Sequence, residues 1–438
     1  MSTTATQAFA GAGAAEDNRT AEQRVEGAMS AFAKSFGATV AWNMESCIHC
    51  GMCADACHFY IATEEAKYIP IWKAEMFKRA FRRESGAFAP FFKILGLKKK
   101  VTLDDLEEWQ ELLFDSCNLC GRCSLICPMG LEVAELIEIG RRGMYEAGLA
   151  PKELAERAAL QAETGVPEAV EKPYAELLKE IGEKHGVDIA LDKAKADIMV
   201  CAPRNDLNRN PSSVAAMVKV LNKLGADYTF RSDAIVAENY GYYAGSSGLQ
   251  KTIAKRVVDQ AKKIGASLVL VPECGHAYYS LRWQAAELMG ETLPFKVRHV
   301  TEYLAEQVEA GKLKLNKVDG LPTAFHDPCQ IVRKGGVTEA PRVLMSELGV
   351  NLKEVFNHAG FSFCCAGGGG MNDIERTRPL RLKAQEIKLR EVDDTGAKRF
   401  LTTCSDCRVA FDDAGEHFNW DKKTESLVEL VADNIKES

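Results

Sequence analysis

At 438 residues the chain is long enough for two or three domains, and 46% hydrophobic with 27% charged residues excludes wholesale disorder. No apolar run approaches the roughly 20 residues of a membrane-spanning helix, so an integral membrane protein is excluded. Lys+Arg 55 against Asp+Glu 62 leaves a net charge of −7, which gives no general attraction to nucleic acid.

Residues 1–25, rich in Ala, Gly, Thr and Ser without a hydrophobic period, read as a mobile tail, with structure expected from about Val25. That start lacks the basic and apolar run of a secretory signal, so a cytoplasmic protein is expected. In a reducing compartment its 15 cysteines point to metal ligation rather than disulfides.

The first eight cysteines fall in residues 26–150. Cys47-x2-Cys50-x2-Cys53-x3-Cys57 and Cys117-x2-Cys120-x2-Cys123-x3-Cys127-Pro128 repeat the spacing that wraps a loop round a 4Fe–4S cube. In two-cluster ferredoxins the fourth cysteine serves the other cube. On that precedent Cys47, Cys50, Cys53 and Cys127 hold one, and Cys117, Cys120, Cys123 and Cys57 the other. Gly51 and Gly121 permit tight backbone round the sulfurs. Zinc also takes four thiolates, but this spacing is not that of a zinc ribbon. His58 stands where the second motif has proline.

The stretch from Lys67 to Lys100 carries ten Lys/Arg and two Glu, interleaved with Ile69, Ile71, Trp72, Met76, Phe77, Phe81, Phe88, Phe91, Phe92, Ile94 and Leu97. Two readings stand: amphipathic helices packed on the two-cluster domain, or a docking surface for a membrane-embedded partner, with nucleic acid a distant third.

Residues 151–195 have helical periodicity (Leu154, Ala158, Leu177, Leu178, Ile181) and read as a connector. From Ala196 the pattern is α/β. Short strands Ile198–Cys201, Ser267–Val271, Thr323–His326 and Arg399–Thr402 are separated by helical segments such as Leu249–Ile264 and Arg381–Val392. Tyr242-Tyr243-Ala244-Gly245 and Cys364-Cys365-Ala366-Gly367 share one frame, as do the stretches round Cys274 and Cys404. Two copies of one module are expected, 196–320 and 321–438, the first with Tyr242-Tyr243 for the paired cysteines and Ala277 for the last. Cys201 and Cys274 remain there, and an isolated cysteine is more often a small buried hydrophobe than a ligand.

Cys329-x34-Cys364-Cys365-x38-Cys404-x2-Cys407 draws five thiols from three segments, with Cys329 and Cys404 just past strands, where open α/β sheets hold their ligands. Gly367–Gly370 is expected to let backbone approach bulky inorganic sulfur. These residues resemble the CCG motif of heterodisulfide reductase, whose five cysteines hold a noncubane 4Fe–4S cluster that cleaves disulfides. The eight-cysteine segment resembles that enzyme's C-type subunit, and one chain carrying both resembles its fused D-type subunit. With a single five-cysteine set it looks most like DsrK, the iron–sulfur subunit of the membrane complex associated with dissimilatory sulfite reductase, and its Tmc and Hmc relatives. The 38-residue spacer and Ala366 depart from the usual pattern.

The resemblance implies an α+β multidomain chain: an α-helical two-cluster ferredoxin-like domain, then two Rossmann-like α/β modules, the first degenerate. It implies two cubes and one noncubane cluster in an oxidoreductase subunit attached to the inner face of the cell membrane. Its partners would be a cytochrome b-like membrane subunit, other complex subunits and a thiol carrier such as DsrC, whose disulfide or trisulfide is the substrate. His326, Arg333, Lys334, His358 and His276 lie near the thiols in sequence or across the repeat and are candidates for proton donation or charge stabilisation, His326 and His358 foremost. Hydrogen bonding to sulfur that tunes potential is the competing role for either histidine. The alternative is a subunit with no substrate of its own, serving a flavin-dependent 2-hydroxy-acid or glycerol-3-phosphate oxidase or dehydrogenase.

Overall fold

The computed structural model describes residues 18–84, 91, 94–96, 100–169, 171–234 and 236–436. The first helix, Ala21–Ser35, begins inside the stretch read as tail. Thr20 and Gln23 form a reciprocal capping box that starts it, a signal ahead of the first apolar positions. Phe32 on this helix stacks edge-on against Phe77 and Trp109, at centroid distances of 5.2 and 6.0 Å. Phe77 and Phe81 of the basic segment thus belong to the core of an all-helical N-terminal unit. Lys73 and Lys78 are buried with them, while Trp72, Phe91, Ile94 and Leu95 are exposed. Phe88, Phe92, Leu97, Lys98 and Lys99 lie outside the described residues.

Two four-stranded parallel sheets follow. The first orders β2-β1-β3-β4, with β1 Ile198–Val200, β2 Tyr228–Phe230, β3 Leu268–Val271 and β4 Lys296–His299. The second orders β6-β5-β7-β8, with β5 Pro322–Phe325, β6 Asn351–Leu352, β7 Arg399–Thr402 and β8 Thr424–Ser426. The inner strands are buried apolar runs, as expected where helices cover both faces. In each sheet the strand order reverses between the first and third strands. That reversal opens a crevice at their carboxyl ends, where such sheets take ligands. Helices Lys152–Thr164 and Tyr174–His185 pack on the first sheet's helices rather than spanning open space.

Arg141 joins the three parts. It is fully buried on the helix Val133–Glu146 and donates to four carbonyls: Leu113 (3.0 Å), Cys117 (2.7 Å), Tyr243 (3.0 Å) and Gly369 (2.8 Å).

Candidate metal centres

The two ferredoxin-like loops share one backbone shape. His49 and Leu119, directly before the second cysteine of each, both have φ 54°, and Gly51 and Gly121 follow with φ 81° and 75°. Each glycine then caps a short helix that carries the third cysteine, Met52–Ala56 or Arg122–Ile126. The left-handed steps turn the chain so that three thiols converge.

Thiols of the two loops lie side by side, Cys127 by Cys53, and Cys57 and Cys53 by Cys123. Burial, then the neighbouring thiolates of Cys47, Cys50 and Cys127, push the Cys53 thiol up. Burial, then Cys120, Cys117, Cys57 and Cys53, push Cys123 well up. Cys57, Cys117, Cys120 and Cys123 line one small cavity together with His58, Lys73 and Asn118. The first group faces outward: Cys50 is exposed, as are Trp42, Ile48 and Met52 nearby in sequence.

Spacing alone does not single out Lys73, Asn118 or Arg122, all of which serve the second group. Lys73 of the basic segment turns inward, its Nζ 3.9 Å from the Cys57 sulfur and bonded to the Ser116 carbonyl. His58 Nε2 lies 3.0 Å from Asn118 Oδ1, and Asn118 Nδ2 donates to the Gly368 carbonyl at 2.9 Å. Histidine in the place of proline therefore ties the first loop to the second and on to the glycine run. Arg122 bridges likewise, from the Ala56 carbonyl at 3.0 Å to the Phe361 carbonyl at 2.8 Å.

Five of the seven remaining thiols gather at the crevice of the second sheet. Cys329 follows β5 and Cys404 follows β7, the two strands at which the order reverses. All five are buried, and Cys329 and Cys364 are 3.8 Å apart, sulfur to sulfur. Hydrogen bonds with Cys120, Cys329 and Cys365 push the Cys364 thiol well up, while its bond with Cys364 holds Cys120 down. The second ferredoxin-like group thus touches the five-thiol site directly.

His326 belongs to this site. Its ring nitrogen and the sulfurs of Cys365 and Cys407 lie within 4.8 Å of one another. Burial, the largest influence, lowers the histidine's pKa against the opposing pull of the Cys365 sulfur beside it, so the neutral ring is favoured. His276 instead holds the modules together. Its Nε2 accepts the Gly369 N–H at 3.1 Å, which turns Nδ1 toward Asp406 at 3.8 Å. His358 is exposed and its Nδ1 lies 3.0 Å from the Val355 carbonyl, a local turn contact. Arg333 donates to the Cys120 carbonyl at 2.9 Å and the Gly360 carbonyl at 2.7 Å, bracing one ligand loop against another. Lys334 lies over the Tyr279 ring at 3.9 Å.

The glycine run serves protein contacts. A Cβ on Gly368 would meet the His276 ring at 2.5 Å, and one on Gly369 the Asn118 backbone at 2.9 Å. Only glycine lets three chain segments close up there. Ala366 has φ 60°, the left-handed conformation that glycine favours. In the first module, Tyr242 and Tyr243 fill core space against the N-terminal helices. Cys274 caps the helix Gly275–Tyr279, the position Cys404 takes before Ser405–Phe418. Cys201 is buried, which pushes its thiol up to about 12.

Comparison with known proteins agrees with these two groupings. The 4Fe-4S dicluster domain family matches residues 43–131 and the cysteine-rich domain family, CCG, residues 323–412. The chain is 25% identical to the Hdr-like menaquinol oxidoreductase iron-sulfur subunit 2 of Archaeoglobus fulgidus, over 90% of this chain and 80% of that one. It is 25% identical to the D-type subunit of the dihydromethanophenazine:CoB–CoM heterodisulfide reductase of Methanosarcina barkeri, over 92% and 96%. An EtfAB:quinone oxidoreductase of Syntrophomonas wolfei matches at 25% over 84% of this chain and 53% of its own length. Spacing, fold and relatives agree on an iron–sulfur protein with a 4Fe-4S dicluster domain followed by a CCG domain, similar over nine-tenths of its length to Hdr-like iron–sulfur subunits and to the heterodisulfide reductase D subunit.

Proposed function

We propose that the protein relays electrons through two 4Fe–4S cubes to a noncubane 4Fe–4S cluster, where a disulfide or trisulfide on a thiol carrier is reduced, or formed in the reverse direction. The observation that carries this reading is the unbroken run of thiols, from exposed Cys50 through the Cys57 and Cys120 group to the buried five. The donor chemistry fits: crowded sulfurs hold their protons against one another, and cationic iron relieves that repulsion. Cys47, Cys50, Cys53 and Cys127 would hold the first cube, Cys57, Cys117, Cys120 and Cys123 the second, and Cys329, Cys364, Cys365, Cys404 and Cys407 the third cluster.

Bound there, the clusters supply one-electron steps along the chain and, at the five-thiol site, the two electrons that break a sulfur–sulfur bond. Lys73 brings positive charge to Cys57, which stabilises added electrons on the second set. His326 offers a nitrogen to Cys365 and Cys407, the position from which to bond a sulfur or hand over a proton. The exposed apolar face by Cys50 suits a partner that exchanges electrons, in keeping with the oxidoreductase subunits among the relatives. No helix among the described residues is long and apolar enough to cross a membrane, so attachment would run through such a partner, a cytochrome b-like subunit in this reading.

Replacing Cys364 or Cys365 by Ser should abolish disulfide reduction while both cube signals persist in electron paramagnetic resonance. Loss of the cube signals instead, or unchanged reduction, overturns the assignment. A second reading draws on the Syntrophomonas relative: an electron relay between a flavoprotein partner and quinone chemistry, with no sulfur substrate. Rapid reduction by a flavoprotein, with a five-thiol cluster indifferent to thiols, would favour it.

A further inference from the structure

At the crevice of the first sheet, where its counterpart gathers thiols, the chain gathers carboxyl groups. Asp206 follows β1, Glu238 follows β2, and Glu273 follows β3 directly before Cys274. They are 0%, 3% and 1% exposed. Neither the Asp206 nor the Glu273 carboxylate has a close hydrogen-bond partner; hydroxyls stand beside them, Ser405 by Asp206 and Ser213 and Ser426 by Glu273. A carboxylate so placed loses its hydration with little replacement, so the acid form is favoured.

The charged neighbours do not reverse this. Glu273 faces Arg408, whose Nη1 is 3.8 Å from Oε2, and also Glu429. Asp206 faces Glu273, Arg408 and Glu238. Glu238 accepts the Arg204 N–H at 2.9 Å and faces Asp406 and Asp373. Burial is the largest influence on all three, holding Glu273 up at about 7 and Glu238 at about 8 and pushing Asp206 well above the usual carboxylate range.

The group has an inner and an outer end. Inward, Ser405 follows Cys404 at the start of the helix that carries Cys407; its hydroxyl donates to the Glu273 carbonyl at 3.1 Å and lies beside the Asp206 carboxyl. Outward, Glu429 accepts from the Ser213 hydroxyl at 2.6 Å and from Arg408 at 2.9 Å, with its side chain 27% exposed. Ser213 and Arg408 in turn adjoin Glu273.

We infer that Glu429, Glu273 and Asp206 form a proton path from solvent to the five-thiol site. Its purpose rests on the reading proposed above. Cleaving R–S–S–R′ to RSH and R′SH takes two electrons and two protons. The electrons come along the cysteine groups from the partner. Glu273 and Asp206, each held as an acid, supply one proton apiece as the S–S bond breaks and two S–H bonds form, and Glu429 refills them from solvent. The degenerate module has thus exchanged its thiols for the acid its neighbour's chemistry consumes.

The test is an anaerobic redox titration of the holoprotein between pH 6 and 9, followed by electron paramagnetic resonance. The potential of the five-thiol cluster should fall as pH rises, approaching about 59 mV for each tenfold change in proton activity at full one-electron coupling. The cube potentials should stay nearly flat. Glu273→Gln should at least halve the slope, and Glu429→Gln should keep the slope but slow proton-coupled reduction of the five-thiol cluster several-fold in stopped-flow absorbance, with iron content and cube spectra unchanged in both. Glu429 is partly exposed, so its variant keeps the test open if a core variant fails to fold. A wild-type slope no steeper than that of the cubes, a full slope in Glu273→Gln, or a wild-type rate of cluster reduction in Glu429→Gln, overturns the path. A slope and a rate that respond to these variants in a protein indifferent to thiols and disulfides leave the path standing and remove the sulfur substrate instead.

Discussion

Replacing Arg141 by Met should lower stability by about 3–5 kcal/mol, because it strips four buried carbonyls of their donor at the junction of all three parts. Methionine fills most of the volume, so the loss reports the polar contacts and not a cavity. The guanidinium also lies 4.7 Å from the Phe114 ring centre, a second contact that methionine does not reproduce. The Cys117 and Gly369 carbonyls belong to different cluster loops, so the variant should loosen the approach of the second cube set to the five-thiol site. Denaturant unfolding, followed by fluorescence and by cluster absorbance, checks this. Both midpoints should fall together; a wild-type midpoint would mean that other contacts hold the junction.

Gly245→Ala should be comparably damaging. Gly245 has φ 87°, and a Cβ there would lie 2.3 Å from the Arg141 carbonyl oxygen and 2.4 Å from its carbon. The obstacle is helix backbone, which cannot swing aside as a side chain does. The left-handed conformation alone costs an alanine about 1–2 kcal/mol. Gly225→Ala separates the two effects, since Gly225 has φ 61° and nothing within 4 Å of the added carbon. Gly225→Ala should lose only the conformational part, and Gly245→Ala at least about 3 kcal/mol or all soluble holoprotein. Equal losses in the two variants would contradict the close approach.

What is legible in the sequence is chemistry carried by spacing. Eight cysteines at ferredoxin intervals and five round CCG fall into the two segments that match the dicluster and CCG families. Contacts between distant segments are hidden. Arg141 reads as one more charge on an amphipathic helix, and only the fold shows that its partners are 28, 24, 102 and 228 residues away. Lys73 sits in a run that reads as a solvated or membrane-facing surface, although the same run holds Phe77 and Phe81, which draw it into the core. The outer strands β2, β4, β6 and β8 are two to four residues long, too short for alternation to mark them. Asp206, Glu238 and Glu273 have no common motif; the parallel sheet alone brings them to one crevice. His326 stands out in sequence because it follows β5, three residues before Cys329.

The central claim is that one of three clusters meets sulfur substrate and the other two only feed it. Iron and acid-labile sulfide on anaerobically purified protein, together with the electron paramagnetic resonance response to added thiols, tests it most directly. The account predicts about twelve irons per chain by this ligand count. It also predicts two cube signals unaffected by thiols and a third that shifts as thiol is titrated. About sixteen irons, which would give the degenerate module a cluster of its own, or three signals all indifferent to every thiol and disulfide carrier, would contradict it.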